Sequence, residues 1–189
     1  MRILPVAVRF AHLPAAELLD RIHRASSITH GHPRALMACG FHALTVAALL
    51  EGAPAAQAVE EASARFREHY GAPSAGEWTD EWQEFNFVLD GKLAYRREDE
   101  IVSDGYCVNT LVASLWCLLT TSAFRECVLK AVNLGSDTDT TGCVAGGLAG
   151  LLYGPAAVPE EWRLELPRAA ELEKLFKAFS RLVVNQRLM

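Results

Sequence analysis

The chain has 189 residues, of which 51% are hydrophobic and 22% are charged, and its formal net charge is −5. A chain of this length and apolar content can bury a sizeable core, so we expect one globular domain over residues 1–189 and exclude a disordered polymer. The negative charge offers no basic surface, which argues against nucleic acid as a partner.

The first half of the chain predicts three successive helices, over residues 15–25, 34–52 and 55–71. A proline stands just before each of them, where the first helical turn tolerates it. The second helix is apolar nearly all round, which is typical of a helix in the middle of a bundle. The first helix has three apolar residues on one side, which we expect to be buried: Leu18, Leu19 and Ile22.

The second half continues in helical periodicity. A short helix is predicted over 79–90, a polar connection over 91–104, and further helices over 107–121, 123–134, 140–153 and 168–185. The last helix carries an apolar stripe that we expect to belong to the core: Leu172, Leu175, Phe176, Phe179 and Leu182. No strand and no internal repeat is evident, so the predicted fold class is all-α.

Residues 131–154 carry the most distinctive pattern of the chain. Asp137 and Asp139 lie among three threonines, at the start of a stretch with glycine at every fourth position. That spacing places the glycines on one helical face, and each costs about 1 kcal/mol against alanine. We therefore expect another backbone to approach this face closely, at the following positions: Gly142, Gly146, Gly150 and Gly154.

The oxygen atoms of this segment suit a hard cation such as Mg²⁺, Mn²⁺ or Ca²⁺ better than zinc. A single aspartate here would more often be an N-cap, but two aspartates with interleaved threonines favour a metal site. An EF-hand is excluded because Leu148 stands where the loop needs a glutamate. The series Asp137-x-Asp139-x-Thr141 also matches the nucleophile loop of a haloacid-dehalogenase phosphatase, which would require a strand ending at Asp137.

Residues 133–154 resemble the C-terminal metal motif of the ADP-ribosylglycohydrolase family, which includes the dinitrogenase-reductase-activating glycohydrolases. Residues 105–121 and 159–162 resemble the segments that flank this motif. Residues 26–35, which contain the series Ser-x-x-Thr-His, and residues 1–11 resemble earlier parts of the family domain. The likeness covers nearly the whole chain and implies a compact orthogonal multi-helix bundle that lacks the family's N-terminal helices.

The resemblance implies a metal-dependent hydrolase that removes ADP-ribose from protein side chains or small conjugates by cleaving an N- or O-glycosidic bond. It implies a site with two Mg²⁺ or Mn²⁺ ions, for which this motif provides Asp137, Asp139 and Thr140 as ligands. His30 resembles a histidine that lines the ADP-ribose cleft, and His32, just before a proline, is predicted to be a helix cap. The implied partner is an ADP-ribosylated protein or an ADP-ribose conjugate.

The chain departs from the family pattern in ways that affect activity. It lacks the Thr-Asp-Asp-Thr cluster of the family's N-terminal part and an earlier acid, so no catalytic residue is assigned. Ser136 stands where a glycine is frequent, and Asn109 where an acid is expected. We therefore expect little activity from this chain alone and a need for a separate N-terminal-half polypeptide or a longer gene product. The alternatives are a non-catalytic helical module that binds ADP-ribose or protein, and a decayed remnant.

The cysteines and the N-terminal residues bear on the compartment. The five cysteines have no CxxC spacing and lie mostly in apolar helical patterns, so we expect reduced thiols in a cytoplasmic protein. Residues 1–11 lack the apolar core and cleavage site of a signal peptide. Residues 143–153, taken as the longest apolar span, are too short to cross a bilayer, so no membrane partner is expected.

Overall fold

The structure is a computed structural model that describes residues 2–71 and 76–187. The all-α prediction is confirmed: within these ranges the chain forms helices and short 3₁₀ turns, and no strand. The helices, in chain order, are α1 (Leu4–Phe10), α2 (Ala15–Ser27), α3 (Pro33–Leu50), α4 (Ala55–Tyr70), α5 (Asn86–Leu89), α6 (Cys107–Leu119), α7 (Phe124–Asn133), α8 (Thr138–Tyr153), α9 (Glu160–Leu164) and α10 (Ala169–Arg187).

The starts of the helices follow the local sequence signals. Pro33 is the first residue of α3, and Pro14 and Pro54 directly precede α2 and α4. His32 is a cap as predicted, because its Nδ1 accepts the backbone N–H of Arg34 at 3.3 Å. The structure differs from the prediction in two respects. Residues 79–90 contain a 3₁₀ turn followed by the four-residue α5, and the short helices α1 and α9 have no predicted counterpart.

Helix α3 is the centre of the fold and contacts α1, α2, α4, α6 and α8. In the part of the chain that the structure describes, it alone is long and apolar enough to span a membrane, and 78% of that window is buried inside the fold. The choice of residues 143–153 as the longest apolar span is therefore wrong. The burial of α3 confirms its prediction as a central bundle helix, because an all-apolar helix needs neighbours on every side.

Tyr70 at the end of α4 joins α2 and α3. Its hydroxyl lies 2.6 Å from Nε2 of His23, and a Cβ atom at Gly40 would lie 2.2 Å from that same hydroxyl. Position 40 therefore admits only glycine without a shift of the tyrosine. Burial lowers the pKa of His23 to about 4, so its imidazole is neutral near pH 7.

Helix α10 contradicts the expectation that its apolar stripe belongs to the core. Leu175, Phe176 and Leu182 are 62%, 60% and 60% exposed, and Leu172 and Phe179 are only half-buried. Periodicity predicts that a helix has an apolar face, but it does not predict what covers that face. We call these five residues the α10 apolar face.

Candidate metal centre

The turn between α7 and α8 places Asp137 at the head of α8. Gly135 and Ser136 both have left-handed backbone conformations, with φ of +79° and +57°. This conformation costs a residue with a side chain about 1–2 kcal/mol, which explains why a glycine suits position 136. The two residues reverse the chain so that helix α8 begins directly after Asp137.

The backbone of Asp137 is fixed on both sides. Its N–H donates to the carbonyl of Ser103 at 2.9 Å, and its carbonyl accepts from the N–H of Thr141 at 3.1 Å. Its side chain makes no capping hydrogen bond with the first turn of α8. The carboxylate therefore does not serve as the N-cap that the sequence left open as an alternative.

Gly105 forms the wall against which the Asp137 carboxylate lies. Gly105 has a φ of +79°, and a Cβ atom at this position would lie 2.3 Å from Oδ2 of Asp137. Both the left-handed backbone and the absence of a side chain are needed here. The position of the carboxylate therefore depends on a glycine that lies 32 residues earlier in the chain.

A buried pair of hydroxyls fixes the same loop to α8. Ser103 Oγ and Thr141 Oγ1 lie 2.8 Å apart, and both residues are buried. Ser114 on α6 donates to the carbonyl of Thr141 at 3.4 Å. Thr141 thus connects the loop at Ser103, helix α6 and helix α8, and its hydroxyl is hydrogen-bonded within the fold.

Asp104 completes the loop that precedes α6. Its Oδ1 accepts hydrogen bonds from Nδ2 of Asn109 and from the backbone N–H of Tyr106, both at 3.0 Å. These bonds, the one from Asn109 first, lower the pKa of Asp104 below its ordinary value. Sequence reasoning missed Ser103, Asp104 and Gly105 as parts of the site. The Asp-Gly pair directly before a helix was the available signal, because it is typical of a turn. We call residues 103–105 the cradle of Asp137.

Of the three predicted ligands, Asp137 directly precedes α8, and Asp139 and Thr140 lie in its first turn; Asp137 and Thr140 are half-buried and Asp139 is exposed. Neither aspartate forms an ion pair with any residue that the structure describes. Within residues 2–71 and 76–187, no group of three His, Cys, Asp or Glu side chains is placed to hold a metal ion. The carboxylate and hydroxyl oxygens of these residues are of the kind that suits a hard cation.

His30 lies in the exposed turn between α2 and α3, where its Nδ1 is 2.9 Å from the hydroxyl of Thr29. The structure shows no hydrogen bond from His30 to the three predicted ligands within the described residues. An indirect connection exists. Arg34 at the start of α3 donates to the hydroxyl of Tyr106 at 2.6 Å, and it pairs with Glu84 at 3.4 Å. This hydrogen bond links the start of α3, which follows the turn that carries His30, to Tyr106, which follows the cradle.

The glycine face of α8 is covered by α7. Cβ atoms at Gly142 and Gly146 would lie 2.9 and 3.4 Å from the side chains of Val132 and Val128. The close approach is confirmed, but the nearest atoms belong to side chains and not to a backbone. Gly154 does not belong to this face, because it ends α8 with a φ of +78° and has open space around it.

The phosphatase alternative is wrong. It requires a strand that ends at Asp137, whereas helix α7 (Phe124–Asn133) precedes the turn to Asp137. The doubly wound sheet of such an enzyme has no counterpart in the described ranges.

Comparison with known proteins gives a consistent result. The family model described as ADP-ribosylglycohydrolase matches residues 1–188. ADP-ribosylarginine hydrolase Tri1 of Pseudomonas putida is 29% identical over 93% of this chain and 43% of its own length. ADP-ribosyl-[dinitrogen reductase] glycohydrolase of Rhodospirillum rubrum is 31% identical over 92% of this chain and 51% of its own length.

A solved structure, described as an ADP-ribosylglycohydrolase-related protein complex, has the same fold. Its TM-score is 0.76 at 31% identity, over 94% of this chain and 57% of that one. The chain thus spans about half the length of the relatives that it matches.

Proposed function

The chain belongs to the ADP-ribosylglycohydrolase family, and we propose that it contributes the α8 side of the active site of a metal-dependent hydrolase that removes ADP-ribose from protein side chains or small conjugates. The relatives from P. putida and R. rubrum are named for ADP-ribosylarginine and for ADP-ribosylated dinitrogen reductase. The observation that carries the proposal is the Asp137 carboxylate, which makes no cap bond or ion pair with the described residues and is held against Gly105.

In this proposal, Asp137, Asp139 and Thr140 would bind Mg²⁺ or Mn²⁺. Such an ion would supply Lewis-acid and templating chemistry near the anomeric carbon of the ribose. The cradle fixes the position of Asp137, so that its carboxylate need not be ordered when a cation binds. His30 would contact the ADP-ribose, and its exposure in the α2–α3 turn leaves it accessible to a ligand.

We also propose that the remaining ligands and the catalytic acid come from the part of the family domain that this chain does not match, carried either by a separate polypeptide or by a longer gene product. Two observations support this. The relatives are about twice as long as the matched region, and the α10 apolar face is exposed. An apolar face of this kind is unfavourable in water and favours a protein partner.

The experiment is a calorimetric titration of the purified chain with Mn²⁺ and then with ADP-ribose. We expect ADP-ribose to bind only when Mn²⁺ is present, and the double variant Asp137→Asn/Asp139→Asn to bind neither. Asp80→Asn is the matched control, because Asp80 is exposed and far along the chain from this motif. Equal binding of Mn²⁺ by the double variant and the wild type would show that these aspartates are not the ligands.

A second candidate is an ADP-ribose-binding module without catalysis. His30 is exposed in the α2–α3 turn and accessible to a ligand, which supports binding of ADP-ribose without turnover. Release of ADP-ribose from an ADP-ribosylarginine peptide separates the two functions. Release of ADP-ribose by the chain supports the hydrolase. If the chain binds ADP-ribose but releases none from the peptide, even when the unmatched part of a relative is added, the result supports the module.

A further inference from the structure

A small cavity of about 50 Å³, partly open to the surface, lies where α1, α3, α6 and α8 meet, apart from the residues that contact Asp137. Its walls are mostly apolar and include Ile3, Leu111 and Val144. Two polar side chains, His42 on α3 and Thr110 on α6, also line it, together with the thiol side chains of Cys39 and Cys107. Nothing in the proposed function uses this cavity.

His42 and Thr110 are both buried, with 5% and 1% of their surface exposed. Nδ1 of His42 and Oγ1 of Thr110 are inaccessible and have no hydrogen-bond partner among the residues that the structure describes. Burial lowers the pKa of His42 to about 4, so the ring is neutral near pH 7 and offers one donor and one acceptor nitrogen. A hydroxyl also donates and accepts, so the two groups present complementary polar atoms to one space.

The size of the cavity and its polar atoms restrict the ligand. A buried polar group without a partner costs free energy, and almost all such groups in folded proteins are satisfied. A water molecule needs about 10–15 Å³ of such space and two or more polar partners. The cavity therefore has room for water and is too small for a nucleobase or a sugar. Cys39, His42 and Cys107 line it, but no group of three His, Cys, Asp or Glu side chains in the described part of the chain is placed to hold a metal ion.

We propose that this cavity is a hydration site, in which one or two water molecules bridge Nδ1 of His42 and Oγ1 of Thr110. The water connects α3 to α6 through hydrogen bonds that the two side chains do not make with the rest of the described protein. It also gives the neutral imidazole a hydrogen-bond partner within a largely apolar wall. This proposal does not depend on metal binding or on hydrolysis.

A double-mutant cycle on thermal unfolding tests the bridge. The variants are Thr110→Val, His42→Phe and their combination, which remove the polar atoms and keep the side-chain shapes. We expect each single variant to lower Tm by roughly 2–4 °C, because it leaves the other polar group without its water. The double variant should lose less than the sum, because neither end of the bridge remains. Thr110→Ser is the control that retains the hydroxyl, and it should keep the coupling to His42.

The opposite pattern would overturn the proposal. If the cavity is dry, removing either unpaired polar atom raises Tm, and the two effects add. Crystals of the wild-type protein give an answer that does not depend on the variants. Electron density for water within hydrogen-bond distance of both atoms supports the bridge. Occupation of the cavity by xenon under pressure, which is typical of dry apolar cavities, contradicts it.

Discussion

Replacement of Gly105 by alanine tests whether the cradle fixes the Asp137 carboxylate, which we propose to bind the metal ion. The new Cβ atom would lie 2.3 Å from Oδ2, 3.1 Å from Cγ and 3.4 Å from Cβ of Asp137. Since ordinary van der Waals contacts begin near 3.4 Å, Oδ2 has to move by about 1 Å. Misplacement of a functional group by about 1 Å can cost on the order of 100-fold in function. We expect Gly105→Ala to weaken Mn²⁺ binding at least about tenfold.

The same substitution also strains the backbone. Alanine at a φ of +79° costs about 1–2 kcal/mol, which corresponds to a decrease in Tm of about 2–8 °C for a chain of this size. Gly52→Ala is the matched control, because Gly52 has a φ of +94° and nothing within 4 Å of its hypothetical Cβ atom. It should lower Tm to a similar extent and leave Mn²⁺ binding unchanged.

Calorimetric titration with Mn²⁺ and thermal unfolding of the two variants separate strain from contact. If Gly105→Ala binds Mn²⁺ as tightly as the wild type, the cradle does not position the ligand. If Gly52→Ala weakens binding as much as Gly105→Ala does, the effect comes from general destabilisation. Either result would refute the reasoning about the carboxylate.

Three further predictions concern the buried hydroxyl pair, the two buried histidines and the α10 apolar face. Thr141→Val leaves the buried hydroxyl of Ser103 without its partner, so the free energy of unfolding should fall by about 1–3 kcal/mol; denaturant unfolding measures it, and a neutral result would contradict the buried pair. The pKa values of His23 and His42 are lowered by burial from 6.5 to about 4, so between these pH values the unfolded chain binds more protons than the folded one. Stability should therefore fall as pH decreases from 6.5 to 4, by up to about 1.4 kcal/mol per pH unit for each histidine, and a flat profile of denaturation midpoints against pH would count against their burial. Leu175→Ala should change the free energy of unfolding by less than about 0.5 kcal/mol, because the side chain is 62% exposed, whereas a loss of 2–5 kcal/mol would mean that it lies in a core.

Much of the fold could be predicted from local signals. The starts of α2, α3 and α4 could be predicted from their prolines, because proline suits the first turn of a helix and not its interior. The buried positions Leu18, Leu19 and Ile22 followed from periodicity and are 1%, 0% and 0% exposed. Helices α1 and α9 could not be predicted in this way, because seven and five residues are too few to show a period.

The candidate site could be predicted only in part. The Asp137–Thr140 segment is local in sequence, so its oxygen chemistry was visible without a structure. Its roles as metal ligands, and that of His30 in binding ADP-ribose, stay predictions. The cradle depends on contacts between residues more than thirty positions apart, such as Gly105 with Asp137 and Ser103 with Thr141.

The sequence by itself determined the longer helices, the central place of α3 and the carboxylate and hydroxyl side chains at the head of α8. These properties depend on residues within a few turns of one another, and local physical chemistry decides them. Only the tertiary structure decided that Gly105 faces the Asp137 carboxylate, that α7 covers the glycine face and that the α10 apolar face stays exposed. Such outcomes depend on which surfaces meet, and a helix carries the same apolar stripe whether or not another helix covers it.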